Sequence, residues 1–339
     1  MIKSRHFGTL ANGQEVTQYT LINKQGVSVD ILTLGGILRR FQLPTSQGNK
    51  DIVLGFDTLE EYLTDGSYLG ALVGRYANRI AQGKFSLNDQ EFRVEVNQAG
   101  NCLHGGKVGF NAYPWNVEVL AENETPSLKL SILSWDGDQG FPGSIQVDVI
   151  YTLTENNTLR IEYFAKTDKD TVFNPTNHAY FNLNGHNSGS VKDHLISLVA
   201  SSYTPTNENA IPTGEIASVK GTPFDLTELS PIKIALASSH PQIKYGNGLD
   251  HNMCLDNFSP IQTKANFAGT CVSDEAQIKM DVFTSMPGMQ IFTANHFKDM
   301  PGKSAAIYQA NQGVCFESQF YPDSPNQPHF PSPILKANE

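Results

Sequence analysis

His178 lies in a stretch, residues 173–183, that mixes three asparagines and a threonine with aromatic side chains. A polar group beside apolar bulk belongs either to a buried hydrogen-bond network or to the lining of a site. Because the unperturbed pKa of histidine is ~6.5, small changes in environment fit it for proton transfer near neutrality. The residues alone leave two interpretations of His178 equally open, a satisfied core histidine and a proton donor.

Glu317 stands in the middle of a strand-like run, residues 313–320, between apolar neighbours. The period-two alternation of a strand places Cys315, Glu317 and Gln319 on one face. A glutamate in an apolar strand is costly unless it is paired or functional. Burial would raise its pKa toward the range of a good general base. The alternative is the exposed face of an edge strand, and the pattern favours function.

Other polar residues stand beside glycines or between apolar positions. His104 precedes two glycines, which permit close backbone approach or positive φ. Asp250 follows the turn-like residues 246–249, and Asn78 and Arg79 lie between Val73 and Ile80. Taken alone, His104 and Asp250 are better explained as turn residues, because histidine can bond its own backbone and Asn-Gly and Asp are common in turns.

The residue types leave two further kinds of chemistry open, a Cys–His nucleophile and a zinc site. A Cys–His nucleophile is conceivable at the cysteines nearest these candidates, but no second signature supports attack chemistry, and a small apolar filler is the favoured interpretation. The three cysteines are Cys102, Cys254 and Cys315. His104, His178 and Glu317 are zinc-ligand types, although their spacing matches no short metal motif. The chain also contains no Gly-x-Gly-x-x-Gly, P-loop, His-Glu-x-x-His or Gly-x-Ser-x-Gly motif.

Short strands must position these residues. Alternating apolar residues predict strands, and two asparagines between the last two predict a hairpin turn; the runs are 27–31, 128–132, 147–153 and 159–163. Residues 57–63 are helix-like, with Asp57 as the cap and Glu60 completing a capping box, and residues 229–239 have room for one short helix at most. Many short strands with Gly and Pro turns predict an all-β fold, one large antiparallel sandwich or barrel.

Composition limits the classes of partner. The 339 residues are 39% hydrophobic and 17% charged, which is enough to bury a large core and too little charge for a disordered chain. No composition shift marks a linker, so we expect one domain over residues 1–339. The net charge of −10, without a basic cluster, argues against nucleic acid and anionic membrane as partners.

The expected location is a reducing cytoplasm. The first residues have no apolar signal core, and no apolar run approaches the ~20 residues of a membrane span. Four scattered cysteines without a C-x-x-C pair make a disulfide framework unlikely to be the basis of the fold. Oligomeric state has no sequence signature here, and a homodimer is left open.

Six segments in this order resemble the aldose 1-epimerase (galactose mutarotase) family along nearly the whole chain. They are Gly-Arg-Tyr-Ala-Asn-Arg-Ile at 74–80, Leu-His-Gly-Gly at 103–106, Asn-His-Ala-Tyr-Phe-Asn-Leu at 177–183, Ile-Pro-Thr-Gly-Glu at 211–215, Leu-Asp-His-Asn at 249–252 and Phe-Glu-Ser-Gln at 316–319. The resemblance implies a β-supersandwich with an open sugar cleft. It further implies that Glu317 is the general base and His178 the general acid, and that the sugar site is lined by Asn78, Arg79, His104 and Asp250.

The implied reaction interconverts the α- and β-anomers of a free aldose, D-galactose or D-glucose. Ring opening needs a base at the C1 hydroxyl and an acid at the ring oxygen, and a carboxylate and an imidazolium on opposite sides of the sugar would supply both. No metal or redox cofactor is required. Arg79 and Asp250 would give charge-assisted bonds to the sugar hydroxyls, and Tyr180 or Phe181 is a candidate to pack on a sugar face.

Three alternatives remain beside this hypothesis. One is a non-catalytic carbohydrate-binding β-sandwich that uses the same polar residues without proton transfer. Another is a metal-dependent enzyme built on His104, His178 and Glu317. The third is a related epimerase acting on maltose or a hexose 6-phosphate. The phosphate substrate would need a basic pocket, and Arg75 and Arg79 are the one close arginine pair near a motif.

Overall fold

The structure is a computed structural model that describes residues 1–46, 48–123, 125–261 and 264–338. Strands dominate it. In chain order they are Ile2–Thr9 (β1), Glu15–Ile22 (β2), Ser28–Leu32 (β3), Leu38–Thr45 (β4), Gly48–Asp51 (β5), Leu72–Val73 (β6), Arg79–Ile80 (β7), Lys84–Leu87 (β8), Gln90–Arg93 (β9), Cys102–Leu103 (β10), Asn116–Ala121 (β11), Ser127–Ser134 (β12), Ile145–Leu153 (β13), Leu159–Thr167 (β14), Thr171–Val172 (β15), Thr176–Asn177 (β16), Tyr180–Phe181 (β17), Leu195–Leu198 (β18), Ser202–Tyr203 (β19), Ala217–Ser218 (β20), Ser230–Pro231 (β21), Asp250–Cys254 (β22), Asn266–Ser273 (β23), Ile278–Thr284 (β24), Gly288–Phe292 (β25), Met300–Pro301 (β26), Ile307–Tyr308 (β27), Val314–Gln319 (β28) and Ile334–Leu335 (β29).

The helices are short. The α-helices are Leu59–Thr64 (α1), Ile232–Leu236 (α2) and Pro241–Tyr245 (α3), and the 3₁₀ turns are Ala81–Gly83, Phe110–Ala112, Asp138–Gly140, Lys303–Ala305 and Ser324–Asn326. In the part of the chain that the structure describes, no helix has the length and apolar character needed to cross a lipid bilayer.

Four larger antiparallel sheets carry the architecture. Their strand orders are β1-β2-β3-β4-β5, β11-β12-β13-β14, β17-β28-β25-β22-β19-β20 and β21-β18-β23-β24. Strand pairs complete the fold, and two of these, β10-β7 and β16-β6, lie beside the site described below. One apolar cluster draws buried residues from all four larger sheets, including Val29, Val149, Ile196 and Ile291. The prediction of an all-β antiparallel supersandwich is confirmed.

The local predictions hold with one correction. The hairpin forms as β13 and β14, and the short helix predicted within 229–239 is α2. The capping box of α1 is displaced by one residue from the expected position. Thr58 is the N-cap and Glu61 completes the box, while the Asp57 carboxylate instead accepts a bond from Arg39, 2.7 Å away. Asp57, the residue that local capping rules favoured, is instead paired with Arg39 of β4.

Candidate active site

Glu317 lies on an interior strand, so the edge-strand interpretation is wrong. Its strand β28 is paired on both sides, with β17 and β25, and Glu317 stands directly opposite Gln290. The side chain is 2% exposed, and its Oε2 atom has no hydrogen-bond partner among the described residues. A buried carboxyl oxygen without a partner is costly, and such sites in native proteins call for an explanation in ligand, water or catalysis.

His178 is brought to Glu317 by the short strands around it. Its backbone N–H donates to Ala71 and its carbonyl accepts from Gly70, which fixes the residue between β16 and β17. The Nε2 atom lies 3.6 Å from Oε1 of Glu317. On its other sides the ring contacts those of Tyr180 and Phe292, with centroids 5.0 and 6.2 Å away. One aromatic neighbour in the sequence, Tyr180, and one from the distant strand β25, Phe292, therefore pack against the His178 ring.

Burial shifts the pKa values of Glu317 and His178 in the directions that favour their uncharged forms. It raises the pKa of Glu317 well above its ordinary value, and the negative charge of Asp250 raises it further while Arg79 opposes this. Burial lowers the pKa of His178 to about 4. A single proton shared by the pair would be held either by Glu317 beside a neutral imidazole or by His178 beside a carboxylate. A carboxyl with a raised pKa near an imidazole is the pattern of an acid–base site.

The distance between the two groups corrects one expectation. A gap of 3.6 Å is too narrow for a pyranose ring, so the pair does not grip a sugar from opposite sides. Two oxygens on one anomeric carbon are close neighbours, and groups that bond one each must lie within about two hydrogen-bond lengths plus the separation of the oxygens, ~8 Å. Glu317 and His178, 3.6 Å apart, satisfy that condition.

Asn78 organises two of the other site residues. Strand β7 pairs with β10, which sets Leu103 opposite Arg79. The backbone N–H of Asn78 donates to Nδ1 of His104 over 3.1 Å. The side-chain oxygen of Asn78 accepts from the backbone N–H and the guanidinium of Arg79 at 2.9 and 3.3 Å. Asn78 therefore orients its neighbours Arg79 and His104, and Arg79 also donates from Nε to Gln98 at 2.9 Å.

The same hydrogen bond settles the chemistry of His104. The ring lies 5.2 Å from that of His178, centroid to centroid, and burial lowers the pKa of His104 well below its ordinary value. A neutral ring whose Nδ1 accepts a hydrogen bond carries its own proton on Nε2. His104 is therefore a neutral hydrogen-bond donor at Nε2.

A metal does not fit this donor set. Ligand atoms of His104, His178 and Glu317 lie within 4.8 Å of one another, so the structure does bring together the three residues named for a metal site. A ligating histidine offers one bare nitrogen and normally donates from the other. In His104 the backbone occupies Nδ1 and the proton occupies Nε2, so the ring has no free lone pair for a cation.

Asp250 completes the group through a residue that the sequence analysis missed. Asp250 begins β22, and its Oδ1 accepts from Nε2 of Gln290 at 2.6 Å. The Oε1 of Gln290 accepts in turn from Gln319 at 3.4 Å. Gln290 is 3% exposed. It was detectable by the criterion that singled out Glu317, since it is also a polar residue within an apolar strand.

One half-exposed aromatic ring of the site belongs to Tyr68, another residue that sequence reasoning missed. Its half-buried ring lies 4.7 Å from that of His104 and 6.0 Å from that of His178. Tyr180 is instead 2% exposed, and Phe181 packs against Phe316. The two aromatic residues suggested for a sugar face therefore support the core.

Arg75 and the cysteines lie outside the chemistry. The Arg75 guanidinium donates to the carbonyls of Pro142, Gly143 and Ser134, so it is not a second cation at the site. Cys315 has its Sγ 3.7 Å from Nδ1 of His178, but burial raises the pKa of that thiol well above its ordinary value. A thiol held in its protonated form is a poor nucleophile.

A buried carboxyl–imidazole pair with flanking hydrogen-bonding residues, set on an antiparallel supersandwich, is the arrangement expected of an acid–base enzyme. Comparisons make the class specific. The aldose 1-epimerase family matches residues 17–339, and this chain belongs to that family.

Individual relatives agree with this assignment over nearly their full length. A galactose mutarotase of Bos taurus is 38% identical over 335 residues, 98% of this chain and 94% of the relative. The solved structure of an aldose epimerase homologue from C. elegans has a TM-score of 0.85 at 30% identity, covering 94% of each chain. That of galactose 1-epimerase from Lactobacillus acidophilus NCFM has a TM-score of 0.87 at 27% identity, covering 100% of this chain and 95% of the other.

Proposed function

We propose that this protein interconverts the anomers of D-galactose or D-glucose, with Glu317 as general base and His178 as general acid. The observation that carries the proposal is the buried pair itself, 3.6 Å apart with an unpartnered carboxyl oxygen. Membership in the aldose 1-epimerase family supports the reaction type. The names of relatives such as the bovine galactose mutarotase support galactose as a substrate.

The proposed reaction uses one proton shared by the pair. The Glu317 carboxylate takes the proton of the C1 hydroxyl while the His178 imidazolium gives its proton to the ring oxygen, and the C1–O5 bond breaks. This leaves a protonated Glu317 and a neutral His178, the charge state that burial favours for both groups. After rotation about C1–C2, the two groups exchange roles and the ring closes on the other face.

The flanking residues would hold the rest of the sugar during that rotation. Arg79 and Asp250 are partly exposed, and they offer a cation and a carboxylate for charge-assisted bonds to hydroxyls. His104 offers a neutral donor. The proposed role of Asn78 is to orient Arg79 and His104, because its oxygen and backbone N–H are bonded to them.

Polarimetry on freshly dissolved α-D-galactose tests the assignment. Glu317→Gln should lower the enzyme-catalysed rate by roughly 10²–10⁴-fold, the usual worth of one acid–base group. Glu91→Gln, at an exposed carboxylate of the β9 hairpin, is the matched control and should keep the wild-type rate. A Glu317→Gln protein with the wild-type rate would refute the role of Glu317. If the wild-type protein binds sugar but does not exceed the spontaneous rate, the binding-only alternative is correct.

Substrate choice calls for a rate comparison among galactose, glucose, maltose and a hexose 6-phosphate. We rank the phosphate lowest, since Arg75 is committed to backbone carbonyls and only Arg79 of the pair belongs to the site. A phosphate ester turned over faster than the free sugars would overturn this ranking.

We also propose a single domain over the whole chain and a reducing cytoplasmic location. The apolar cluster shared by all four larger sheets supports the first. Four buried cysteines, none of them in a disulfide, support the second.

A further inference from the structure

We infer that the same site hydrolyses 1,5-lactones of aldonic acids, the six-membered cyclic esters that carry a carbonyl where an aldose carries its anomeric hydroxyl. The inference rests on the proposed ring-opening function and extends it to a second reaction class. The structure supplies the three groups such a hydrolysis needs: an unpartnered carboxyl oxygen, a proton donor for the ring oxygen and a neutral donor beside them.

Mutarotation and lactone hydrolysis share one step, the breaking of the C1–O5 bond. When water adds to C1 of the lactone, the product is a tetrahedral carbon that bears two exocyclic oxygens and the ring oxygen. An aldose differs only in having hydrogen in place of one exocyclic oxygen. A site that serves both anomers must accept the exocyclic oxygen on either face of C1, and the lactone reaction requires that it also admit the adduct in which both positions are filled. Breaking C1–O5 is then the same event in both reactions.

Glu317 is placed to activate the water. Its side chain is 2% exposed and its Oε2 has no partner among the described residues. A water molecule bonded there would occupy the position proposed for the anomeric hydroxyl. As the water oxygen bonds to C1, its proton passes to Glu317 and the lactone carbonyl becomes an oxyanion. The Nε2–H of His104, fixed by the Asn78 bond to Nδ1, is a preorganised donor for that oxyanion.

His178 completes the hydrolysis. The carbonyl re-forms, the C1–O5 bond breaks, and the proton of His178 goes to the departing ring oxygen. One water has then been added to the lactone, Glu317 is protonated and His178 is neutral. Transfer of the proton from Glu317 to His178 across their 3.6 Å contact restores the starting pair, and the aldonic acid releases its own proton to solvent. In mutarotation, ring closure restores the starting protonation of Glu317 and His178. In lactone hydrolysis, direct proton transfer between the two side chains restores it.

Acid release from D-glucono-1,5-lactone, followed by pH-stat at mildly acidic pH, tests the inference on the full-length protein. The first-order rate should exceed the spontaneous rate in proportion to enzyme concentration. Glu317→Gln should reduce the enzyme-dependent part at least ~100-fold, and Glu91→Gln should not reduce it. D-Galactose should inhibit competitively, with an inhibition constant equal to its KM in mutarotation. Thermal unfolding of each variant verifies that it is folded.

The outcomes separate this inference from the proposed function. If a preparation catalyses mutarotation but not lactone hydrolysis, the lactone inference is wrong and the proposed function stands. If Glu317→Gln abolishes mutarotation but hydrolyses the lactone at the wild-type rate, the hydrolysis occurs elsewhere and the inference is again wrong. If neither reaction exceeds its spontaneous rate, both proposals fail.

Discussion

At the scale of the residue, the buried carboxyl of Glu317 is costly to the fold. Burial and the charge of Asp250 raise its pKa well above the ordinary value of 4.5, so ionising it in the folded protein costs free energy that the unfolded chain does not pay. The same environment makes the group a stronger base once it is ionised. Burial of Glu317 therefore lowers the stability of the folded protein and raises the basicity of the carboxylate. The loss of stability depends on pH.

Glu317→Gln should be more stable than the wild type at neutral pH. The pKa of Glu317 is higher in the folded protein than its value of 4.5 in the unfolded chain. Its contribution to the free energy of unfolding is therefore fully present below pH 4.5. That contribution is lost as pH rises from 4.5 toward the folded pKa, by at most about 1.4 kcal/mol per pH unit. The stability gain of the variant should therefore vanish near pH 4.5 and grow toward neutrality. Urea unfolding across this range measures it, with Glu91→Gln as control. A neutral-pH loss of stability in Glu317→Gln would contradict the buried-charge account.

At the scale of the element, register within one sheet builds the polar face that carries Glu317. In strands β22, β25 and β28, Asn252, Gln290 and Glu317 stand directly opposite one another, and residues opposite in adjacent strands share a face. Gln319 donates to Gln290, which donates to Asp250. Because the Oε1 atom of Gln290 accepts from Gln319, its Nε2 atom faces Asp250. Hydrogen bonds within the sheet therefore orient the Asp250 carboxylate, which the sequence alone places on a turn.

Gln319→Met should weaken sugar binding more than it slows catalysis. Met preserves bulk but removes the bond that orients Gln290, and a neutral hydrogen bond is worth about 1 kcal/mol. We expect KM to rise roughly 5-fold and kcat to change less than about 2-fold. Ser318→Ala, next along β28 but on the other face, is the control. A fall in kcat with KM unchanged would show that Gln319 acts on the acid–base pair instead.

The capping box of α1 offers a matched test of local structure. Glu60 and Glu61 both place a carboxylate in the first turn, but only Glu61 bonds the Thr58 backbone and hydroxyl, at 2.9 and 2.6 Å. Glu61→Ala should therefore destabilise the protein by about 1 kcal/mol more than Glu60→Ala. Equal effects in denaturant unfolding would mean that only the helix dipole is involved.

At the scale of the whole molecule, the fold buries five of the nine histidines in the chain. They are His104, His178, His186, His194 and His251. Burial lowers the pKa of four of them to about 4 and that of His104 well below its ordinary value. A lowered histidine pKa gives stability that is present above ~6.5 and is lost as pH falls toward the folded value.

Unfolding near pH 6 should therefore take up protons. Calorimetric unfolding in buffers of different ionisation enthalpy measures this uptake directly. His194→Gln should reduce it by about 0.8 proton, since a group with a pKa of about 4 in the fold rises to ~6.5 in the unfolded chain. At alkaline pH, where these histidines are neutral in both states, this difference should disappear. An uptake near pH 6 that His194→Gln leaves unchanged would contradict the burial of a neutral ring at this position.

The sequence predicted the all-β class and the family, and it named the six residues proposed for the site. It found Glu317 because a carboxylate in an apolar strand is visible from alternation alone. It missed Gln290 and Tyr68. Gln290 met the same criterion as a polar residue in an apolar strand, but its bond to Asp250, 40 positions away (290 − 250), is visible only in the tertiary structure. Tyr68 lies in a loop whose path depends on the strands around His178.

What the sequence determined by itself is the kind of chemistry, since motif residues and strand periodicity are local properties. What only the tertiary structure decided is how the groups meet. It set the 3.6 Å contact of Glu317 with His178, and it bonded Nδ1 of His104 to Asn78, which makes that ring a donor and not a metal ligand. Both depend on strand register and burial, which bring together residues far apart in the chain and set their protonation by the medium that encloses them.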